Sequence, residues 1–417
     1  MTKPAPASDL IAAFNAGREP ERLAMKYAAM RADPFRFLRG TCHLFHIRMS
    51  QHGLAPDGPA AWICGDLHLE NVGTYLGDNG LTYFDVNDFD EAILAPVSWD
   101  ILRLAVSVLA AAPSLGLTNS SAKTFAKDLI GTYFAELSLG KPRWLERSTA
   151  SGPIGDLMDK RKRRDPAKFL AKRTVTKGGK TSLLIDGERT LAISKPERTD
   201  LAAFMAALAK QNPDAKPLKF VDAARRIAGT GSLGVPRFVI LVKDPTNSDS
   251  HWLLDLKSAN PSALAPYVAT KQPKWPSPNG SSEAARVAAI QTLFQANTPS
   301  MLSAQTFDGA PYTLKQMQPS ADRLDLKALA SSKDDFGHVI TAMARLTAWG
   351  HLRGTGHQGS PAADDLIAAA GDPKAPADLL ERALALDKIN SADWSQYCAA
   401  YDQGTFGPTA KAGPGEQ

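Results

Sequence analysis

Cysteine is nearly absent. Cys42, Cys64 and Cys398 are the only three in 417 residues, too few and too scattered for a disulfide framework or a zinc site, and they suit a reducing compartment. Long apolar runs are lacking too: no stretch of 18 residues reads as a membrane span. Residues 1–10 carry one lysine and none of the apolar core of a signal peptide, so a cytoplasmic protein with no membrane partner is expected. Charge of one sign is hardly in excess, since 48 basic against 43 acidic side chains leave a net of only +5, partly in local runs. The densest run, Lys160-Arg161-Lys162-Arg163-Arg164, has no interleaved aromatics and no recognisable reader fold around it. A solvated helix face is expected there, and nucleic acid is not expected as a partner. What remains, 44% hydrophobic and 22% charged residues, is the composition of a soluble globular protein, and the length exceeds one ordinary domain, which favours two lobes sharing a cleft.

The most informative stretch is Gly65-Asp66-Leu67-His68-Leu69-Glu70-Asn71, which follows an apolar run over residues 60–64 that reads as a buried strand. A second run over 81–84 leads into Phe84-Asp85-Val86-Asn87-Asp88-Phe89-Asp90-Glu91. Two strand ends thus deliver polar groups to one place. Asn71 stands five positions after Asp66, the spacing at which a phosphoryl-transfer loop sets a base Asp and a metal-binding Asn. Asp88 sits where that chemistry needs a carboxylate for magnesium; Asp90 and Asp85 are further carboxylates, either behind it or ligands of a second ion. His68 is expected to pack and hydrogen-bond beneath the loop.

Farther on, Ala228-Gly229-Thr230-Gly231-Ser232-Leu233-Gly234 precedes an apolar run over 238–242 and then Trp252-Leu253-Leu254-Asp255-Leu256-Lys257. In a dinucleotide-binding unit such glycines would open a helix, whereas Pro236 and the β-branched run argue for a strand. A glycine loop between two strands, with a lysine one strand later, lets the backbone at Gly229, Gly231, Ser232 and Gly234 cover phosphates that Lys257 contacts. The bland alternative is a hairpin turn with a surface lysine.

The loop from Gly65 to Asn71 resembles the catalytic loop of the protein-kinase-like superfamily in its small-molecule branch, the aminoglycoside and choline phosphotransferases, where Gly-Asp-Leu-His-x-x-Asn is usual. Asp88-Phe89-Asp90 resembles their magnesium loop. More narrowly, Pro34-Phe35-Arg36-Phe37-Leu38-Arg39-Gly40, the catalytic loop, residues 85–91 and Trp99-Asp100-Ile101-Leu102-Arg103-Leu104 resemble a bacterial family known as domain of unknown function 2252, over most of the chain. The resemblance implies an α+β, two-lobed protein-kinase-like fold with ATP and Mg2+ as cofactors. It implies that Asp100 braces the catalytic loop and that residues 311–317 form a strand running into the linker that meets an adenine. The glycine loop comes about 160 residues after the catalytic loop, so a circularly permuted order of elements is expected. The family's usual glutamate partner of the strand lysine is replaced here by Ala289, so Lys257 should pair with Glu283 or lean toward Asp88, roughly 4–10 Å away in a phosphate-filled site.

Helices are expected over 23–33, 99–112, 119–140, 200–210, 283–295, 336–352 and 362–401, and a hairpin over 181–193 around Asp186-Gly187. Residues 1–20 and those after 405 read as loose. Three parts follow: 1–145 with the catalytic and metal loops, 146–330 as a β-rich nucleotide-covering lobe, and 331–417 packing back on the catalytic lobe. The function expected is ATP-Mg-dependent phosphoryl transfer to an unspecified, hydroxyl-bearing small molecule or protein; the alternatives are a nucleotide-binding, pseudokinase-type module and an adenylyl transferase.

Overall fold

Polar punctuation sets the helix starts. Asp33, Thr118, Asp165, Ser282, Asp325 and Ser332 each accept a backbone N–H from the turn they precede, and Pro20, Pro34 and Pro166 occupy first turns, where no N–H is missed. The computed structural model describes residues 5–211, 218–244, 247, 250–277, 280–319 and 322–407. Four helices come first, α1 (Ala7–Phe14), α2 (Pro20–Ala32), α3 (Pro34–Gly40) and α4 (Cys42–Gln51). Strands β1 (Ala60–Ile63), β2 (Val72–Leu76), β3 (Thr82–Val86) and β4 (Ile93–Pro96) precede α5 (Ser98–Leu115), α6 (Asn119–Ser138) and β5 (Leu145–Glu146). Then come α7 (Gly152–Lys162), α8 (Pro166–Ala171), β6 (Thr174–Lys177), β7 (Lys180–Leu183), β8 (Thr190–Leu191) and α9 (Lys195–Gln211). Strands β9 (Phe220–Arg226), β10 (Arg237–Lys243) and β11 (His251–Ser258) lead through β12 (Pro276–Ser277) and β13 (Gly280–Ser281) to α10 (Glu283–Phe294), β14 (Ser303–Phe307) and β15 (Ala310–Gln316). Helices α11 (Leu326–Ala330), α12 (Lys333–Arg353), α13 (Ala363–Ala370) and α14 (Ala375–Asp402) follow.

The fold is mixed α+β, and all its strand pairs are antiparallel. The main sheet runs β14-β15-β11-β10-β9-β8. Its strands alternate in side-chain direction, so Phe238, Ile240 and Val242 of β10 and Leu254 and Leu256 of β11 face Leu201 and Met205 of α9. Val239, Leu241 and Leu253 face the other way, against Phe169 and Leu170 of α8. Asp255 and Lys257 share that second face by the same period. A larger apolar core gathers α5, α6, α10 and α12, with α5 buried along most of its length. By length and composition α5 would pass for a membrane span, contrary to the sequence expectation, but 78% of it is buried inside the fold; alanine and leucine on all sides serve a helix enclosed by neighbours. Helix α14 returns to α1–α5, where Tyr397 Oη donates to the Tyr27 carbonyl at 2.8 Å and Arg48 pairs with Asp393 at 2.9 Å.

Several expectations are corrected. Residues 7–14 are helical, with Ala7 and Ile11 buried. No hairpin spans 181–193: β7 pairs back with β6 around Gly178-Gly179, both at positive φ, and β8 joins β9. Asp186 instead spends its carboxylate on the N–H groups of Glu188, Arg189 and Thr190, closing a turn without strands. Lys195-Pro196 opens α9 rather than linking to it. Within the basic run Lys160, Lys162 and Arg163 are exposed, but Arg161 and Arg164 fold in on buried Asp322.

One partly buried acid gives a stability test. Asp387 on α14 leaves its Oδ1 without a hydrogen-bond partner, and burial pushes its carboxyl up to about 6. A raised folded pKa means the native state keeps a proton that the unfolded chain loses near pH 4, so this group penalises folding increasingly from pH 4 to 6 and fully above. Asp387→Asn should therefore stabilise by about 1–2 kcal/mol at pH 8, after discounting for partial exposure, and by nothing at pH 4. Urea unfolding at both pH values checks this, and an equal effect at each would refute it.

Candidate functional site

The segment 64–71 joins β1 to β2 and the segment 87–92 joins β3 to β4; because β1 pairs with β4 and β2 with β3, the two polar loops lie side by side. Gly65 begins the first at φ +84°, and a Cβ there would collide with the Glu91 carbonyl, so the loops touch where only glycine fits. Buried Asp100, at the start of α5, accepts the backbone N–H groups of Cys64 (2.7 Å) and Gly65 (2.8 Å) and meets His351 Nε2 at 3.2 Å. The brace expected of Asp100 is thus present as three contacts. Asn71 Nδ2 donates to the carbonyls of Asp66 (3.1 Å) and Asp88 (3.3 Å), stitching the loops together. His68 is buried, accepts the Glu70 N–H at Nδ1 and packs edge-on to Phe35; burial, then Arg39 and Arg103, hold its pKa well below the usual value, so it is neutral.

Asp66 Oδ1 takes the Nε–H of Arg103 at 2.6 Å, and the fully buried Arg103 also donates to the Leu38 carbonyl. Burial raises the Asp66 carboxyl above its ordinary value against the pull of Arg103. Its other oxygen lies toward the glycine loop: a Cβ on Gly231 would sit 3.9 Å from Asp66 Oδ2 and 3.1 Å from the Arg39 carbonyl. Gly229 to Gly234 connect β9 to β10, and Ser232 Oγ reaches Asp90 Oδ2 at 3.5 Å.

Lys257 on β11 comes to the same place. Its Nζ lies 3.3 Å from Asp88 Oδ1 and closer still to Asp90 Oδ2, while Glu283 turns to Arg286 at 2.6 Å. Of the two partners expected in place of a residue-289 glutamate, Asp88 is the one found, with Asp90 beside it. Burial pushes the Asp88 carboxyl up, but Lys257, then Lys315 and Arg237, override it and hold it far below the carboxylate range. Asp90 is raised, by burial and then by Asp88, because two neighbouring carboxylates resist ionising together. Glu91 is driven up to about 7 by burial, though it accepts the Ala263 N–H. Asp85 is separate: it faces Arg353 at 3.4 Å, and burial raises it to about 6.

These groups line a cavity of about 440 Å³ that contains Asp66, Asn71, Asp88, Asp90, Gly229, Gly231, Ser232 and Gly234, with Lys257 behind Asp88 and Asp90. Among the described residues no group of three or more His, Cys, Asp or Glu could hold a metal unaided. Asp88, Asp90 and Asn71 offer hard oxygen atoms, a donor set that fits magnesium, which keeps water or phosphate oxygens in the rest of its shell. A larger groove of about 1000 Å³, bordered by Arg161, Phe169, Trp252 and Asp322, holds none of the expected catalytic, metal or glycine-loop residues; Gln316 and Met317, from the stretch expected to lead into the adenine linker, line this groove and not the cavity.

Sequence reasoning missed four cations. Arg103 clamps Asp66. Arg286, on α10, donates to the carbonyls of Asp90 (2.8 Å), Asn260 (2.9 Å) and Ala92, so the helix is tied to the metal loop through backbone oxygens. Arg18 and Lys26 border the cavity from the N-terminal helices. Arg103 was within reach as a charge in an apolar helix; the others depend on contacts between segments far apart in the chain. Arg39 pairs with Glu70 at 2.6 Å.

The sequence pattern of a family described as uncharacterized proteins conserved in bacteria (DUF2252) matches residues 18–400. No curated protein and no solved structure matches the chain.

Removing the brace has a calculable cost. Asp100→Ala leaves two buried N–H groups unpaired, which should destabilise the protein by roughly 2–4 kcal/mol in urea unfolding. It should also speed amide exchange at Gly65 ahead of α5, and a variant with unchanged exchange there would show that Asp100 does not hold the loop.

Proposed function

The chain belongs to this bacterial family, DUF2252, and from that premise we propose that it is an ATP-Mg-dependent phosphotransferase of two-lobed, protein-kinase-like build that acts on a hydroxyl-bearing acceptor. The observation carrying this reading is the meeting of Lys257 with Asp88 and Asp90, two chain segments 169 residues apart, beneath a glycine loop and beside Asp66. A hairpin turn with a surface lysine has no reason to make that contact. Packing of α14 against α1–α5 brings the described ends of the chain into one region, which supports a permuted order of elements.

On this reading Asp88 and Asp90, with Asn71, hold the magnesium, which neutralises charge on the transferring phosphoryl group. Lys257 exchanges its carboxylate contacts for phosphate oxygens. The backbone over Gly229, Gly231, Ser232 and Gly234 covers the nucleotide. Asp66, fixed through Oδ1 by Arg103, presents Oδ2 to the acceptor hydroxyl and orients it or takes its proton. Ala289, where a glutamate is usual, favours the second reading, a nucleotide-binding module or an adenylyl transferase.

Asp88→Ala should weaken Mg-dependent binding of a non-hydrolysable ATP analogue by about tenfold or more while the protein stays folded, because it removes a metal ligand. Unchanged metal-dependent binding would refute the assignment. Asp66→Asn should keep the analogue's affinity within about threefold and lower transfer by a factor of about 10²–10⁴. Transfer is read with ATP labelled at the γ or the α phosphate against a cell extract: movement of the α label alone would replace phosphoryl by adenylyl transfer, and no movement of either would leave a binding module.

A further inference from the structure

Two cations of the cavity wall have no carboxylate in contact with them, and Asp66, Asp90 and Glu91 act on them only from farther off. Lys26 of α2 is fully buried, and its Nζ donates only to Asn15 Oδ1 (2.9 Å) and the Gly231 carbonyl (3.1 Å). Arg18, in the turn before α2, gives its Nη1 to the carbonyls of Gly231 (2.7 Å) and Leu233 (3.1 Å) and stands over the Phe14 ring. Among the described residues neither has a carboxylate within 4 Å, whereas Arg103, Lys257 and Arg286 each do. A third donor points to the same wall: Arg39, 5% exposed, satisfies Glu70 through Nη1 but leaves its buried Nε without a partner. A buried cation satisfied only by neutral carbonyls pays desolvation with little Coulombic return, and such an imbalance is relieved by an anion from outside.

From this wall we infer an oxyanion subsite formed by Arg18, Lys26 and Arg39, so that the acceptor of the proposed transfer is itself an anion, a hydroxyl compound bearing a phosphate or carboxylate group. This rests on the phosphotransferase reading and gives it a substrate class. Lys26 and Arg18 share the cavity with Asp88 and Asp90 but hold the carbonyl of Gly231, where an added Cβ would stand 3.9 Å from Asp66 Oδ2, whereas Lys257 pairs with Asp88 and Asp90. An acceptor anchored at the subsite by its anion has its hydroxyl delivered to Asp66.

The probe is inorganic phosphate, titrated calorimetrically into the full chain with and without a saturating ATP analogue and magnesium. Phosphate should bind both with and without the analogue, and its affinity should fall at least tenfold in Lys26→Met and in Arg18→Gln. Arg18→Gln guards against Lys26→Met failing to fold, and circular dichroism reports folding of each. If the analogue displaces phosphate and itself binds more weakly to both variants, the subsite receives the nucleotide's own terminal phosphate and the anionic acceptor is overturned. If phosphate does not bind, or binds both folded variants as it binds the parent, the subsite is overturned and the two cations merely hold the glycine loop. The phosphotransferase reading fails by a different result, absence of Mg-dependent analogue binding, which the phosphate titration without nucleotide does not depend on.

Discussion

Lys257 between Asp88 and Asp90 is the contact on which the geometry of the cleft depends. Two carboxylates two residues apart on one short loop repel, and in a partly buried site that repulsion favours protonation of one of them. The lysine changes the balance: Asp88 stays ionised and Asp90 bears the repulsion. Lys257 is itself 6% exposed, so it too needs charged partners to offset its burial. The main sheet and the loop over residues 87–92 are therefore joined by mutual electrostatic need.

The loops meeting that lysine are held by charged groups acting on backbone atoms. Asp100 accepts from two amides at the start of the loop over residues 64–71, and Arg286 donates to three carbonyls in and beside the loop over residues 87–92. Backbone atoms cannot rotate away as side chains do, so such contacts fix loop geometry more strictly than a pair of side chains would. They leave the carboxylates to side chains: Asp66 faces Arg103, Asp88 faces Lys257 with Lys315 and Arg237 farther off, and Asp90 faces Lys257 and Ser232. This division between what shapes the loops and what faces the cavity is what a site for a charged ligand requires.

Local spacing made the loops legible. Asp66 and Asn71 belong to one turn, residues 85–91 to another, and the glycine loop lies between two apolar runs whose period marks strands, so each could be read from a short window. Misreadings came from competition over equally short distances: Asp186-Gly187 has the look of a hairpin turn, but Gly178-Gly179 closes one a few residues earlier and takes β7 with it. Long-range pairings were out of reach. Arg161 and Arg164 look like a solvated charge run until Asp322, 158 residues after Arg164, folds beneath them. Lys26 and Arg18 meet Gly231 across more than 200 residues, and no periodicity announces that contact.

The absence of a glutamate at position 289 takes on a different sense in this setting. A helix that positions the strand lysine through its own carboxylate couples helix placement to lysine placement directly. Here α10 grips the loop over residues 87–92 instead, through Arg286, with Glu283 holding the guanidinium in line. The lysine then takes its orientation from the carboxylates it faces, so helix, loop and lysine remain one connected unit, with the order of links reversed. Displacing α10 would shift the backbone at Asp90 and Ala92 first and Lys257 only as a consequence. Ala289 is thus compatible with an ordered site, because the coupling that a glutamate would provide is carried one turn earlier on the same helix by a residue of opposite charge.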